Sequence, residues 1–460
     1  MHGTFETWHA PQADRDDEVL GIRTQRTLRA GGVEYVQNDN GDVRVLRGLV
    51  ERRQRTEDFI DSGDFAKHPE SDALLGASRL PDGRSVWMVR VAPPGGEPYA
   101  IGLDANTWLV DEKSYQDGDA VATAVYSDYR VVDGALVPFT EVDSSGDRAF
   151  DIASHATEVR VDQPIDPAVF APLQPTVIQT GAAVTVPLLT DNDHIFVRAT
   201  ADGKPLLMLI DTGAQGIFLD PGAAARLGLQ PQGMLEVRGA ARTSGQGVAA
   251  LDGISIGGAY LPVHVASVVD LRSVTYDGAT VDGVLGYPLF AAAEARIDPE
   301  ARTLEIARPG TLKPKGAAVP VDTDRELPEA IASVDGVDGR FLLDTGNSNE
   351  LLIFHHFVSA HPGVITYQNR RNVFAPNSGV GGSSAAVPAM IGELRIGPFR
   401  LFNRYTDVML ADAGAFADRN DAGNIGFATL RNFVCTFDLA DDAVYLDPTR
   451  WFDNGSGRSP

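Results

Sequence analysis

Leu209-Ile210-Asp211-Thr212-Gly213 and Leu342-Leu343-Asp344-Thr345-Gly346 are the two stretches that decide the fold. Each is a pair of apolar residues followed by Asp-Thr-Gly, each closes an apolar run, and the aspartates lie 344 − 211 = 133 residues apart. Composition gives about 0.04 expected occurrences of such a pattern per chain, so two copies are a signal rather than an accident. A hydrolytic pair of carboxylates must sit within hydrogen-bonding distance and share a proton, one as base and the other as acid toward a water between them. Two such turns related by a pseudo-twofold axis can supply that geometry.

The surroundings repeat as well. Val184-Thr185-Val186-Pro187-Leu188 precedes the first motif and Val319-Pro320-Val321 the second, with 211 − 186 = 25 and 344 − 321 = 23 residues from valine to aspartate. Downstream, Val284-Leu285-Gly286 lies 298 − 286 = 12 residues before Asp298, and Asn424-Ile425-Gly426 lies 438 − 426 = 12 before Asp438. Between them, Ile254-Ser255-Ile256-Gly257 answers Leu394-Arg395-Ile396-Gly397. This is an internal repeat of about one small domain. The motif follows His194 to Ala199 and a Gly203-Lys204-Pro205 turn in the first copy, and Phe341-Leu342-Leu343 in the second, so Asp-Thr-Gly falls on a loop at a strand end. Pro221 to Gly228 begins with proline and stops with glycine, as a short helix should.

A length of 460 residues suggests about three domains, and 43% hydrophobic content with 47 glycines and 28 prolines favours compact, turn-rich structure. The net charge of −24, with no clustering of the 39 Lys and Arg residues, argues against nucleic acid as a partner. Cys435 lies in the apolar run Asn432 to Phe437 and reads as a small buried hydrophobe; alone, it forms no intramolecular disulfide. No run of about 18 apolar residues exists, so no membrane-spanning helix is expected. Met1 to Trp8 runs straight into a strand, which leaves a cytosolic location or a leader upstream of Met1.

Pro172 to Gly181 and Pro309 to Gly316 read as linkers, giving domains at 1–174, 182–308 and 317–450. The first third alternates in the manner of antiparallel strands, as in Ser85 to Val91 and Tyr99 to Leu103 around Pro93-Pro94-Gly95-Gly96, and in Val125 to Val132 and Leu136 to Val142 around Asp133-Gly134. Successive hairpins predict a curved antiparallel sheet. With its closing segment, Thr157 to Val161 and Pro164 to Phe170, this third resembles the outer-membrane lipoprotein carrier and sorting family. That likeness implies a half-barrel, a lipid or lipoprotein partner and a periplasmic or cell-envelope setting.

The two repeats resemble the aspartic protease clan: tandem retropepsin-like modules in a pepsin-like bilobal arrangement, over about 184–307 and 319–448. The resemblance implies a mainly β chain whose two lobes pair Asp211 and Asp344 as catalytic carboxylates on a polypeptide substrate. It further implies that Thr212 and Thr345 hydrogen-bond across the lobe interface, and that Gly213 and Gly346 allow tight turns. Val284-Leu285-Gly286 and its counterpart would pack behind the loops, with Asn424 departing from the apolar pattern. The position after the glycine is Ala214 in one copy and Asn347 in the other, where pepsins carry a hydroxyl. Without that donor the charged form of Asp211 is less stabilised, so activity should reach milder pH.

Arg242 to Gly247 and Asn377 to Ser384 are the candidate tips of flap hairpins. His355-His356 with His361 lacks the spacing of a metal motif, the serines lack a nucleophile elbow, and the chemistry requires no metal or cofactor. The expected function is therefore an aspartic endopeptidase. The rival is a peptide- or lipid-binding envelope protein built on the same fold without hydrolysis, which Asn424 favours.

Overall fold

The computed structural model describes residues 1–240, 243–367, 375–379 and 382–453. Strands take 51% of the described residues and helices 13%, so the fold is mainly β. Among the described residues no helix is long and apolar enough to cross a membrane.

Contacts divide the chain into two compact units, Leu46–Ala171 and Met1–Val45 together with Pro172–Pro460. The first 45 residues thus depart from the single domain expected over 1–174. They form their own antiparallel meander, Gly3–Ala10, Ala13–Leu20, Arg23–Ala30, Val33–Gln37 and Val43–Val45. The cause is polar anchoring at one end of the meander. The Asn40 amide oxygen accepts from the backbone N–H of His264 at 2.8 Å and of Val265 at 3.0 Å. Asn38 Nδ2 donates to Glu326 at 3.0 Å, Arg44 pairs with the same carboxylate at 2.7 Å, and Thr176 N–H donates to the Gly41 carbonyl at 2.8 Å.

Leu46–Ala171 is a seven-stranded meander running in spatial order from Ile152–His155 to Asp72–Arg79, with one α-helix, Gly48–Asp61. Ile60 from the helix packs with Val91, Tyr99 and Ile101. The Asp133-Gly134 turn joins Val132 to its partner Ala135 with positive φ at both residues, 47° and 92°, the mirror-image turn that suits a twisted hairpin.

The remaining unit holds both Asp-Thr-Gly turns. In its first half, Lys204–Ile210 pairs in parallel with Gly283–Leu285, which pairs antiparallel with Ile217–Leu219. In its second half, Val337–Asp344 pairs in parallel with Gly423–Gly426, which pairs antiparallel with Leu351–Phe354. Each aspartate therefore ends a strand whose neighbour across the sheet carries the downstream glycine motif. The halves also share strands: Val184–Pro187, Thr303–Ala307 and Glu294–Asp298 are followed in the sheet by Phe433–Asp438, Ala443–Pro448 and Ala317–Asp322. Ala295 pairs with Phe437 and Ile297 with Cys435 across the midline. One apolar core runs through both halves, including Ile210, Leu285, Phe290, Leu343, Ile425 and Phe437. Cys435 is buried in it, and burial pushes its thiol pKa up to about 12.

The helix Pro221–Leu227 forms where the sequence placed it. Asp220 caps it by accepting from Gly222 N–H at 2.8 Å, and Gly228 ends it with φ of 82°. His355-His356 opens the helix His355–Ala360, directly after the buried strand Leu351–Phe354.

Candidate active site

The two Asp-Thr-Gly turns meet. Thr212 and Thr345, 1% and 0% exposed, bond reciprocally. Thr212 Oγ1 donates to the Leu343 carbonyl at 2.6 Å and accepts from Thr345 N–H at 2.9 Å. Thr345 Oγ1 donates to the Ile210 carbonyl at 2.9 Å and accepts from Thr212 N–H at 3.1 Å. Only a hydroxyl can give and take at once in this way, so threonine satisfies four buried backbone groups across the interface with two side chains.

The glycines set how close the turns approach. A Cβ on Gly213 would lie 2.5 Å from the carboxyl carbon of Asp344, and one on Gly346 would lie closer still to that of Asp211. Each glycine therefore faces the opposite carboxyl with no room for a methyl group. Gly213 N–H donates to Asp211 Oδ1 and Gly346 N–H to Asp344 Oδ1, both at 2.8 Å. The Asp344 carboxyl lies close enough to Asp211 to act on its titration. Burial first, then the charge and hydrogen-bonding proximity of Asp344, push Asp211 far above the usual carboxylate range, against the pull of Gly213 N–H.

The turns differ in what else they touch. Asp344 Oδ1 also accepts from Asn347 N–H at 3.1 Å, and its Oδ2 accepts from Asn424 Nδ2 at 2.5 Å. Asn424 Oδ1 in turn accepts from Asn347 Nδ2 at 2.9 Å. The register partners are Leu209 with Val284 in the first half and Leu342 with Asn424 in the second, so Asn424 stands where the first half has an apolar side chain.

Three further features escaped the sequence reading. His194 lies close enough for the Asp344 charge and the Gly346 carbonyl to act on its imidazole, whose pKa burial nonetheless lowers. Gln215, on the first turn, donates to the Arg325 carbonyl at 2.7 Å, and the Arg325 guanidinium binds Asp421 at 2.5 Å, Asp418 at 2.9 Å and Glu329. Residues of these types carry no local pattern; only the spacing of 344 − 325 = 19 and 211 − 194 = 17 residues before the aspartates relates them.

A hairpin of Gln232–Arg238 and Thr243–Ala250 lies beside the first turn's sheet. Thr243 to Gly247 belongs to its returning strand, not to a tip as expected, and Arg242 is outside the described residues. The carbonyls of Gly239 and Ala240 accept from Ala415 N–H at 3.0 Å and Phe416 N–H at 3.2 Å in the second half. The other candidate tip falls between Ala375–Gly379 and Gly382–Ile396; its Val380 and Gly381 are outside the described residues. Among the described residues no group of His, Cys, Asp or Glu side chains is placed to hold a metal ion.

The family model described as aspartyl protease matches residues 197–289, a stretch that contains Asp211-Thr212-Gly213 and Val284-Leu285-Gly286. No curated protein matches the chain. The match supports a protease-like function for this part of the chain.

Proposed function

We propose that the chain is an aspartic endopeptidase in which two retropepsin-like modules, fused in a pepsin-like bilobal plan, build one active site. The observation that carries this reading is the reciprocal bonding of Thr212 and Thr345, which brings Asp211 and Asp344 together. Two carboxyls so placed cannot both stay ionised, so they hold one proton between them and titrate as a pair. A water bound between them would lose its proton to the ionised member and attack the peptide carbonyl. The other member would donate to the developing oxyanion. The substrate would be an extended polypeptide lying under the hairpin Gln232–Ala250.

Cleavage of a mixed peptide library between about pH 3 and about pH 7 tests this, comparing wild type, Asp211→Asn and Asp344→Asn with and without pepstatin. Cutting by wild type alone, blocked by pepstatin, is the expected result. A wild type as inert as both variants would favour the second reading, a peptide-binding protein gripped shut by Gly239 and Ala240 on Ala415 and Phe416. The likeness of the first third to lipoprotein carriers supports a cell-envelope location, which fractionation of the native cells would test.

A further inference from the structure

The second turn carries a chain of amides whose direction is fixed at its far end. Asn349 N–H, which can only donate, gives its hydrogen to Asn347 Oδ1 at 3.0 Å, and Asn349 Nδ2 points to the same oxygen at 2.9 Å. Asn347 must therefore present its NH2 to Asn424, 2.9 Å away, and Asn424 must present its own NH2 to Asp344 Oδ2. The backbone donor fixes Asn347, and Asn347 in turn fixes Asn424, whose flip would set NH2 against NH2. Asp344 then accepts from three donors, Gly346 N–H, Asn347 N–H and Asn424 Nδ2, whereas Asp211 has Gly213 N–H. The matching positions beside Asp211 are Ala214 and Val284, which offer no side-chain donor.

We infer that Asn347 and Asn424 are positioning residues that polarise the dyad, holding Asp344 as the ionised base and leaving the shared proton on Asp211 as the acid. The inference rests on the two-carboxylate reading but not on hydrolysis. Donors aimed at one oxygen pair stabilise charge there, and apolar neighbours disfavour it on the other carboxyl. Other titratable groups around Asp344 do not reverse this. Glu329 lies opposite Leu342 but is bound by Arg325 and Arg340, and the Glu350 carboxylate accepts from Tyr405 N–H. His194, if protonated, adds positive charge on the same side and favours the same assignment.

The test compares thermal midpoints of wild type, Asp211→Asn and Asp344→Asn at about pH 6. An amide is a neutral mimic of a protonated carboxyl, so Asp211→Asn should melt at or above wild type. Asp344→Asn loses charge-assisted bonds or sets its NH2 against that of Asn424, and should melt about 2 to 4 °C lower. Equal midpoints, or the reverse order, overturn the inference whether or not the protein cleaves peptides. In a cleaving protein, Asn424→Val should move the acidic limb of kcat/KM upward by about one pH unit, because the base loses a donor; an unmoved limb would count against the relay. An inert protein with the expected melting order would instead sink the hydrolytic reading alone.

Discussion

At Gly213 and Gly346 one methyl group is enough to part the two carboxyls. Gly346→Ala would thrust its Cβ against Asp211, and the loops could accommodate it only by separating. Peptide cleavage should fall at least a hundredfold, a loss expected when reacting groups shift by about 1 Å; near-normal turnover would show that the approach of the turns is not needed. The threonines carry a different load. Thr345→Val deprives Thr212 N–H and the Ile210 carbonyl of their partner in a dry interface, at about 1 to 3 kcal/mol for each orphaned group. Urea midpoints should drop accordingly, and Thr345→Ser should recover most of the loss, since serine keeps the hydroxyl.

At the scale of elements, two main-chain bonds, from Ala415 and Phe416 to the Gly239 and Ala240 carbonyls, tie the hairpin Gln232–Ala250 to the second half. Ala415→Pro deletes one donor at the start of a 3-10 turn, where proline's missing N–H and fixed φ are tolerated. Faster hydrogen exchange across 232–250 and a raised KM with unchanged kcat are the expected outcomes, and unaltered exchange would mean the Gly239 bond holds nothing. The elements themselves were legible in the sequence where their causes are local. Apolar runs ending in Asp-Thr-Gly, the Pro221 to Gly228 helix and the Asp133-Gly134 hairpin all depend on residues a few positions apart. What remained hidden depends on partners far along the chain. Nothing near Asn40 in the sequence points to His264 and Val265, whose backbone N–H groups its amide oxygen holds. Asn424 stood out as a departure from an apolar pattern, but its purpose became visible only beside Asp344 and Asn347. The tip of the Gln232–Ala250 hairpin was misplaced because polar, glycine-rich residues suit a twisted returning strand as well as a turn.

Across the whole molecule, buried carboxylates set the response to acid. Asp42 is 2% exposed, has one oxygen without a partner among the described residues, and lies close enough to Glu326 for that charge to act on it. Burial, then the Glu326 charge, raises its pKa from 3.8 to about 7, while Asn38 and Arg44 pull it down. The folded chain thus keeps a proton that the unfolded chain releases, so this contribution to stability is full below about 4 and is lost as pH rises through about 7. Burial likewise raises Asp421 to about 7 and Asp438 to about 6. The melting temperature should therefore climb as pH falls from 7 toward 5, helped by relief of a net charge of −24. Asp42→Asn should raise the value at pH 7 and flatten the slope; a slope unchanged by the substitution would place its cause elsewhere.

The joining of three strands from each half into one sheet, with Ala295 on Phe437 and Ile297 on Cys435 at the seam, should make the peptide connection between them dispensable. That connection is pinned at its start, where the Glu294 carboxylate accepts from Thr311 N–H and Leu312 N–H at 2.6 Å each. A chain nicked between Leu312 and Gly316 should still elute as one particle and separate only in denaturant. Written as genetics, residues 1–312 and 316–460 become two cistrons that complement each other, neither with a carboxyl pair of its own.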